Sequence, residues 1–299
     1  MSISKYPSKL SLPQENPGVK SVLEYLILKF PSISRSVWLQ RMAEGKVHRH
    51  DGSLFDAHSL YEPQQRVYYY REVESEPVLP FEEKIIFQDE ELLVAFKPHF
   101  MGVTPGGGCI NECLQNRLRD KLGLDDLQAI HRLDRATAGL VLFSVNPITR
   151  PLYHHLFNTH QVNKTYHAIA KVDVEDRLVG QQWEVKNRIV RSVPRFLMKI
   201  AEGQANSHSV IRCLEQFTDK ALFELKPSTG RTHQLRLHMQ ELGWPLLNDM
   251  YYPTLQTKSA DVYSQPLQLL AKALRFIDPV TQQPRVFTSP TDLQGDIPK

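Results

Sequence analysis

Residues 131–143 constrain this chain more than any other stretch. They open with His131, Arg132 and Asp134, pass through the small residues Ala136, Thr137, Ala138 and Gly139, and end in the apolar run Leu140-Val141-Leu142-Phe143. The run is short, partly β-branched and aromatic, and Asn146-Pro147 follows it, so it reads as a buried strand. A carboxylate on a loop that feeds a buried strand is rigidly held, and a partly dry setting tunes its reactivity. Asp134 is therefore the first candidate for chemistry. On local spacing alone, an ordinary Asp–Arg surface turn is the simpler reading.

With 299 residues, 41% hydrophobic and 23% charged, the chain has room for a large core and two domains. No apolar run is long enough to span a bilayer, and residues 1–6 lack the apolar stretch of a signal peptide, so a cytoplasmic protein without a membrane partner is expected. Cys109, Cys113 and Cys213 make an odd count without a disulfide framework, which suits a reducing compartment. Cys109 and Cys113 lack a matching second pair for zinc and read as packing residues. The net charge of +3 says little about nucleic acid, but its distribution says more. Arg35, Arg41, Lys46, His48 and Arg49 cluster early, and Lys186, Arg188, Arg191, Arg195 and Lys199 form a run without acids. Such runs can follow a phosphate backbone; a solvated helix or hairpin face is the competing explanation.

Residues 1–17 are polar, carry Pro7, Pro13 and Pro17, and read as a tail or strap. Helices are expected over 21–30, stopped by Pro31, and over 37–44, closed by Gly45, with short strands at 46–49 and 66–71. Together they define a small α+β module over 18–73. The charged, Pro-containing stretch 74–81 reads as a linker, and 82–299 as a larger domain. In that domain a hairpin (84–87 and 92–96) precedes helices at 111–122 and 148–157. Strands follow at 164–170, several between 183 and 215, and 221–225; a helix at 232–242 and a strand at 269–276 complete it. Strands dominate and do not alternate with helices, so the fold class is α+β with a mixed or antiparallel sheet. Gly106-Gly107-Gly108 is not a phosphate loop, because no Gly-Lys-Ser/Thr follows it.

Beyond the opening stretch, Lys164-Thr165-Tyr166 is a strand start whose tyrosine is more simply core than catalytic. Gly230-Arg231-Thr232-His233-Gln234-Leu235-Arg236-Leu237-His238 is a helix start too polar for a core helix, and its N-terminus would attract an anion. Residues 246–252 read as a structural loop. His131-Arg132-Leu133-Asp134 with Thr137-Ala138-Gly139-Leu140, then Lys164-Thr165-Tyr166, then residues 230–238, closely resemble the pseudouridine synthases of the RluA family. Lys97-Pro98 after an Asp-x-x-Leu-Leu-Val hairpin fits the same family. The ordered combination is specific, whereas each motif alone is weak. Residues 18–72 resemble the small RNA-binding alpha-L module, with Ser34-Arg35-Ser36 and Gly45-Lys46-Val47 as matching points.

The resemblance implies a mixed, mainly antiparallel pseudouridine synthase domain that isomerises uridine in RNA. The glycosidic carbon–nitrogen bond breaks, the uracil turns and a carbon–carbon bond forms, so no redox cofactor and no metal are expected. Asp134 is the implied carboxylate. Attack on the ribose, attack on the base and abstraction of a ribose proton all stay open. Arg236 is its implied basic partner, Tyr166 the implied ring against the target base and acid or base, and Arg132 the implied filler of the space left by a flipped nucleotide. Arg231, His233 and Gln234 are expected to bind substrate at the helix start, and Arg188 and Arg191 to meet phosphates. His131 reads as a brace for the loop. Ala138, His99-Phe100, Asn248, Leu270 and Asp278 depart from the family pattern and bear on substrate choice, not reaction type. RNA is the expected partner, with ribosomal RNA favoured over transfer RNA, and the expected protein is a monomer. A catalytically silent RNA-binding or ribosome-assembly protein and a helix-turn-helix over 21–45 are the other readings.

Overall fold

The computed structural model describes residues 1–257 and 261–293. The chain divides into two compact units, Met1–Pro77 with Gly106–Asn111, and Val78–Pro105 with Glu112 onward.

In the first unit, β1 (Ser2–Ile3) pairs with β5 (Glu72–Val73), and β2 (Ser8–Ser11), β4 (Arg66–Tyr69) and β3 (Val47–His48) form an antiparallel sheet with β4 in the middle. Two helices, α1 (Val22–Lys29) and α2 (Arg35–Ala43), complete it. Ser21 and Ser34 cap them, each side-chain oxygen accepting a backbone N–H three residues on. Val22, Leu26, Trp38, Met42, Val47 and Val67 close its core. The first 17 residues are thus not a tail. Their strands fill two sheet positions, because alternation in Ser8–Ser11 turns Leu10 toward this core and Lys9 to solvent. Nor is 74–81 a free linker. The Glu76 carboxylate accepts the backbone N–H groups of Ile110 and Asn111, and Leu79 is buried in the core of the second unit.

The second unit is built on a sheet of eleven strands among the described residues. Its strands are β6 (Lys84–Gln88), β7 (Leu92–Lys97), β8 (Gln128–Ala129), β9 (Ala138–Ser144), β10 (Asn163–Lys171), β11 (Gln182–Arg191), β12 (Met198–Ala201), β13 (Ser207–Gln216), β14 (Lys220–Pro227), β15 (Leu269–Ile277) and β16 (Pro284–Thr288). The main order is β12-β11-β13-β14-β10-β15-β9-β7-β6; β16 pairs with the second half of β15, and β8 with the end of β9. Every pairing is antiparallel except β9 with β15. The α+β expectation, with a mixed and mainly antiparallel sheet, holds.

Helices α3 (Leu114–Leu122) and α4 (Arg150–Asn158) cover opposite faces of the β7–β9 half. Val141 and Phe143 pack with Leu114 and Leu118; Leu140 and Leu142 pack with Tyr153 and Leu156. A strand covered on both faces has no polar side, which is why 140–143 is unbroken in its apolarity. Helix α5 (Gln234–Glu241) lies on the other half, where Leu235 and Met239 pack on Ala168, Ile211 and Phe223. Gly139 sits at the seam between the halves. Its φ is +120°, and an added Cβ would lie 2.4 Å from the Ala271 carbonyl oxygen, so this pairing admits only glycine.

Candidate active site

The loop before β9 is pinned from three sides. The His131 ring stacks on Phe157 at 4.6 Å, and its Nε2 accepts the Leu142 N–H at 3.1 Å. Burial lowers its pKa to about 3, aided by the Lys164 charge, so the ring is neutral and its acceptor nitrogen stays available. His131 is a brace, as the sequence suggested. Lys97 is fully buried, and its Nζ donates to the carbonyls of Pro98, Met101 and Arg135 at 2.9, 2.7 and 3.2 Å. His99 Nδ1 donates to the Ala136 carbonyl at 2.7 Å. Lys97 and His99 thus tie the two residues after Asp134 to the end of β7. Sequence reasoning had assigned neither a role; a Lys and a His flanking Pro98 at a strand end were the available signal.

Across the cavity, the chain enters α5 through His233, which holds a left-handed φ of +56°. Gln234 makes this entry rigid. Its Oε1 accepts from Thr229 Oγ1 (2.7 Å) and the Arg231 N–H (3.0 Å), while its Nε2 donates to the His208 carbonyl and Ser209 Oγ, both at 2.9 Å. Both ends of this amide are therefore spent on the protein. Gln234 supports the site's wall, rather than reaching for a substrate as the sequence suggested.

Arg236 also differs from expectation. Its Nε and Nη2 make a bidentate pair with Asp249, at 2.7 and 2.5 Å, and both side chains are almost fully buried. Asp249 accepts the N–H groups of Tyr251 and Tyr252 as well. The guanidinium lies over the rings of Tyr251 and Tyr252 at 4.7 and 5.2 Å. Only Nη1 is left to face Asp134, at 3.6 Å from Oδ2. The Arg236–Asp134 pair is thus a single-point approach, and Asp249 is the true clamp. Residues 246–252, which looked like a structural loop, supply it. The signal was a lone acid in a short apolar turn after an arginine-bearing helix, because a buried guanidinium demands a carboxylate.

His233 is the second group facing Asp134, with Nε2 3.8 Å from Oδ2. Its Nδ1 is 2.8 Å from Tyr252 Oη, which accepts the Met198 N–H. Burial lowers the His233 pKa, against the pull of the Asp134 charge. The Tyr252 hydroxyl also donates to the Met198 carbonyl at 3.1 Å, so in its contact with His233 Nδ1 the donor follows the ring's tautomer. Burial, then the Asp134 charge, raises the Tyr166 pKa, so its phenol stays protonated at neutral pH.

These groups line a cavity of about 750 Å³ between the two halves of the sheet. Arg132, Lys164, Arg231 and Arg236 supply its cationic lining, and Asp134 is the sole carboxylate there among the described residues. Lys164 Nζ donates to the Thr229 carbonyl and Arg231 Nε to that of Asn206. A pocket so charged suits an anion placed beside one fixed acid. Asp134, Tyr166, Arg236, Arg132, Arg231, His233 and Gln234 all meet here, as the sequence suggested. Arg188 and Arg191 do not line it. Strand alternation turns them to opposite faces of β11, and Arg188 Nη1 donates to the Glu202 carbonyl at 3.0 Å, across its own hairpin.

The family model for RNA pseudouridylate synthase matches residues 91–241. The tRNA pseudouridine synthase C of Vibrio cholerae serotype O1 is 30% identical over 225 residues, covering 70% of this chain and 91% of that protein. The dual-specificity RNA pseudouridine synthase RluA of Vibrio parahaemolyticus serotype O3:K6 is 30% identical over 216 residues, covering 70% of this chain and 83% of that protein. Among solved structures, human RNA Pseudouridylate Synthase Domain Containing 4 superposes with a TM-score of 0.54 at 25% identity, covering 70% of this chain and 88% of that one. The chain belongs to the RNA pseudouridylate synthase family, in its RluA branch. Its activity is accordingly the isomerisation of uridine to pseudouridine in RNA.

Proposed function

We propose that Asp134 is the catalytic carboxylate and that it acts on a uridine flipped out of a structured RNA. The carrying observation is its placement: it is the only acid lining the cavity among the described residues, 3.6 Å from Arg236 and 3.8 Å from His233. Arg236 Nη1 and His233 Nε2 both face its Oδ2, so the carboxylate is aimed into the cavity from a fixed position. Uracil cannot be turned inside a stack. Extraction costs roughly a few kcal/mol, and Arg132, exposed at the cavity's edge, is the side chain to fill the space left behind. Tyr166 lies against the flipped base and, as a protonated phenol, can donate but not accept a proton at neutral pH. Lys164 and Arg231 meet the flanking phosphates.

The small N-terminal unit would add affinity by holding RNA near the pocket, which favours a large structured target such as ribosomal RNA. Transfer RNA, named in the Vibrio cholerae relative, is the competing target. A cytoplasmic setting fits the odd cysteine count.

The test is to incubate the purified protein with unmodified total RNA and map pseudouridine by carbodiimide-stopped reverse transcription. New stops with the wild type, lost by about a thousandfold or more in Asp134→Asn, are expected. Stops undiminished in Asp134→Asn would overturn the assignment, and the RNA that carries them decides between ribosomal and transfer targets.

A further inference from the structure

The outer face of the β2–β4–β3 sheet is dressed in a way its fold does not require. The inner face of this sheet already closes the core with Leu10, Val47, Val67 and Tyr69. On the outer face, Lys9, Tyr68 and His48 stand in one row, since Lys9 and His48 are both register partners of Tyr68. The His48 and Tyr68 rings stack at 5.5 Å with an interplanar angle of 14°. Tyr70 extends this group on one side, 5.9 Å from His48, and His50 on the other, 5.7 Å from Tyr68. His50 Nδ1 meets Tyr68 Oη at 3.1 Å, which fixes the phenol ring. His48, Tyr68 and Tyr70 are half-buried, while Lys9, His50 and Arg66 are exposed. The three strands carry Lys9, Arg66 and His48 and no acid.

A cross-strand aromatic pair can stabilise a small sheet by itself. It does not require a lysine and an arginine at its margins or a second pair of rings beside it. Aromatic faces interleaved with cations, on strands without acids, match the chemistry of an unpaired RNA strand: bases stack on rings and phosphates meet cations.

We propose that this face is a second RNA site, a stacking platform for unpaired bases of the substrate, with Lys9 and Arg66 on the adjoining phosphates. The inference rests on the reading that the chain works on RNA, but not on the role of Asp134. Such a platform selects targets whose modified uridine lies near a single-stranded segment. It would recognise that segment with little regard to sequence, because every base has a face to stack.

The test uses the full chain with a labelled single-stranded RNA and a hairpin of equal length, followed by fluorescence anisotropy across a salt series. Tyr68→Ala with Tyr70→Ala should weaken single-strand binding by about tenfold or more and leave hairpin binding within about twofold. Lys9→Ala with Arg66→Ala should lessen the salt slope by roughly 1.4, the value for two phosphates of a single strand. In parallel, ultraviolet crosslinking of the wild type to the single-stranded RNA should place adducts on His48, Tyr68 or Tyr70. This arm does not depend on any variant folding. Unchanged affinities, equal losses on strand and hairpin, or adducts confined to residues 78–293 would overturn the platform. Pseudouridine formation by the wild type is read separately, so failure of Asp134 as catalyst and failure of this face are distinct results.

Discussion

At the scale of single residues, the site depends on an ion pair whose acid lies behind the cavity wall rather than in its lining. Asp249 spends both oxygens on Arg236 and two backbone N–H groups, inside a region closed to water. Asp249→Ala leaves a buried guanidinium without its partner, so a loss of roughly 3–5 kcal/mol is expected in urea denaturation, with pseudouridine formation abolished. A denaturation midpoint equal to wild type would show that the pair carries no such load. Tyr252→Phe is a finer probe. It removes the hydroxyl that holds His233 Nδ1 while keeping the ring under Arg236. Activity should fall about tenfold with a stability loss of only about 1 kcal/mol, because His233 loses the hydroxyl that orients it and the Met198 N–H loses an acceptor while the ring's packing stays. Asp134, Tyr166 and Arg236 were legible because their motifs are contiguous and dense in polar residues. Asp249 left only the weak signal of a lone acid in a turn after an arginine-bearing helix, and it is folding that sets it against the buried Arg236. The same holds for Gln234, whose place among polar neighbours suggested substrate contact until its amide was seen to be fully occupied.

At the scale of elements, period and punctuation revealed most helices and long strands, with ends displaced by a few residues. The helix expected from 111 begins at Leu114, since Gly106–Asn111 belongs to the first unit. Strands of two residues, such as β1, β5 and β8, have no period to read, and β2 hid in a proline-rich stretch. Gly139 is the element-scale feature open to a sharp test. Alanine there meets the Ala271 backbone at 2.4–2.7 Å and a φ of +120° together. Gly139→Ala should cost at least roughly 3 kcal/mol, read as a lower urea midpoint with an unchanged m-value. Retained stability would mean that β9 and β15 can part without consequence. Ser21→Ala, by contrast, removes one capping bond of α1 and should cost only about 1 kcal/mol.

At the scale of the whole molecule, one buried and two half-buried histidines make the fold sensitive to acid. His131 has its pKa lowered to about 3, and His99 and His238 to about 4, in each case chiefly by burial. The unfolded chain titrates them near 6.5, so between about pH 4 and 6.5 it binds more protons than the folded chain. Stability therefore rises with pH through that window and is lost on acidification. His238, which has no exposed surface, accounts for roughly 2–3 kcal/mol of the loss. The urea midpoint should fall steadily from pH 7 to 4.5, and His238→Gln should flatten the fall. A midpoint constant over that range would refute the assignment. One strand also gives the molecule a history. β15 is made after both halves of the sheet, yet it lies between them, paired to β10 on one edge and to β9 on the other. Asp134 rides on the β9 half, and Tyr166 and Arg236 on the β10 half. During synthesis each half can form as soon as it emerges, with the edge meant for β15 still open. A nascent chain that has not reached Leu269 therefore holds every polar group of the pocket without the strand that aligns them, and β15 is the strand that turns two half-sheets into an enzyme.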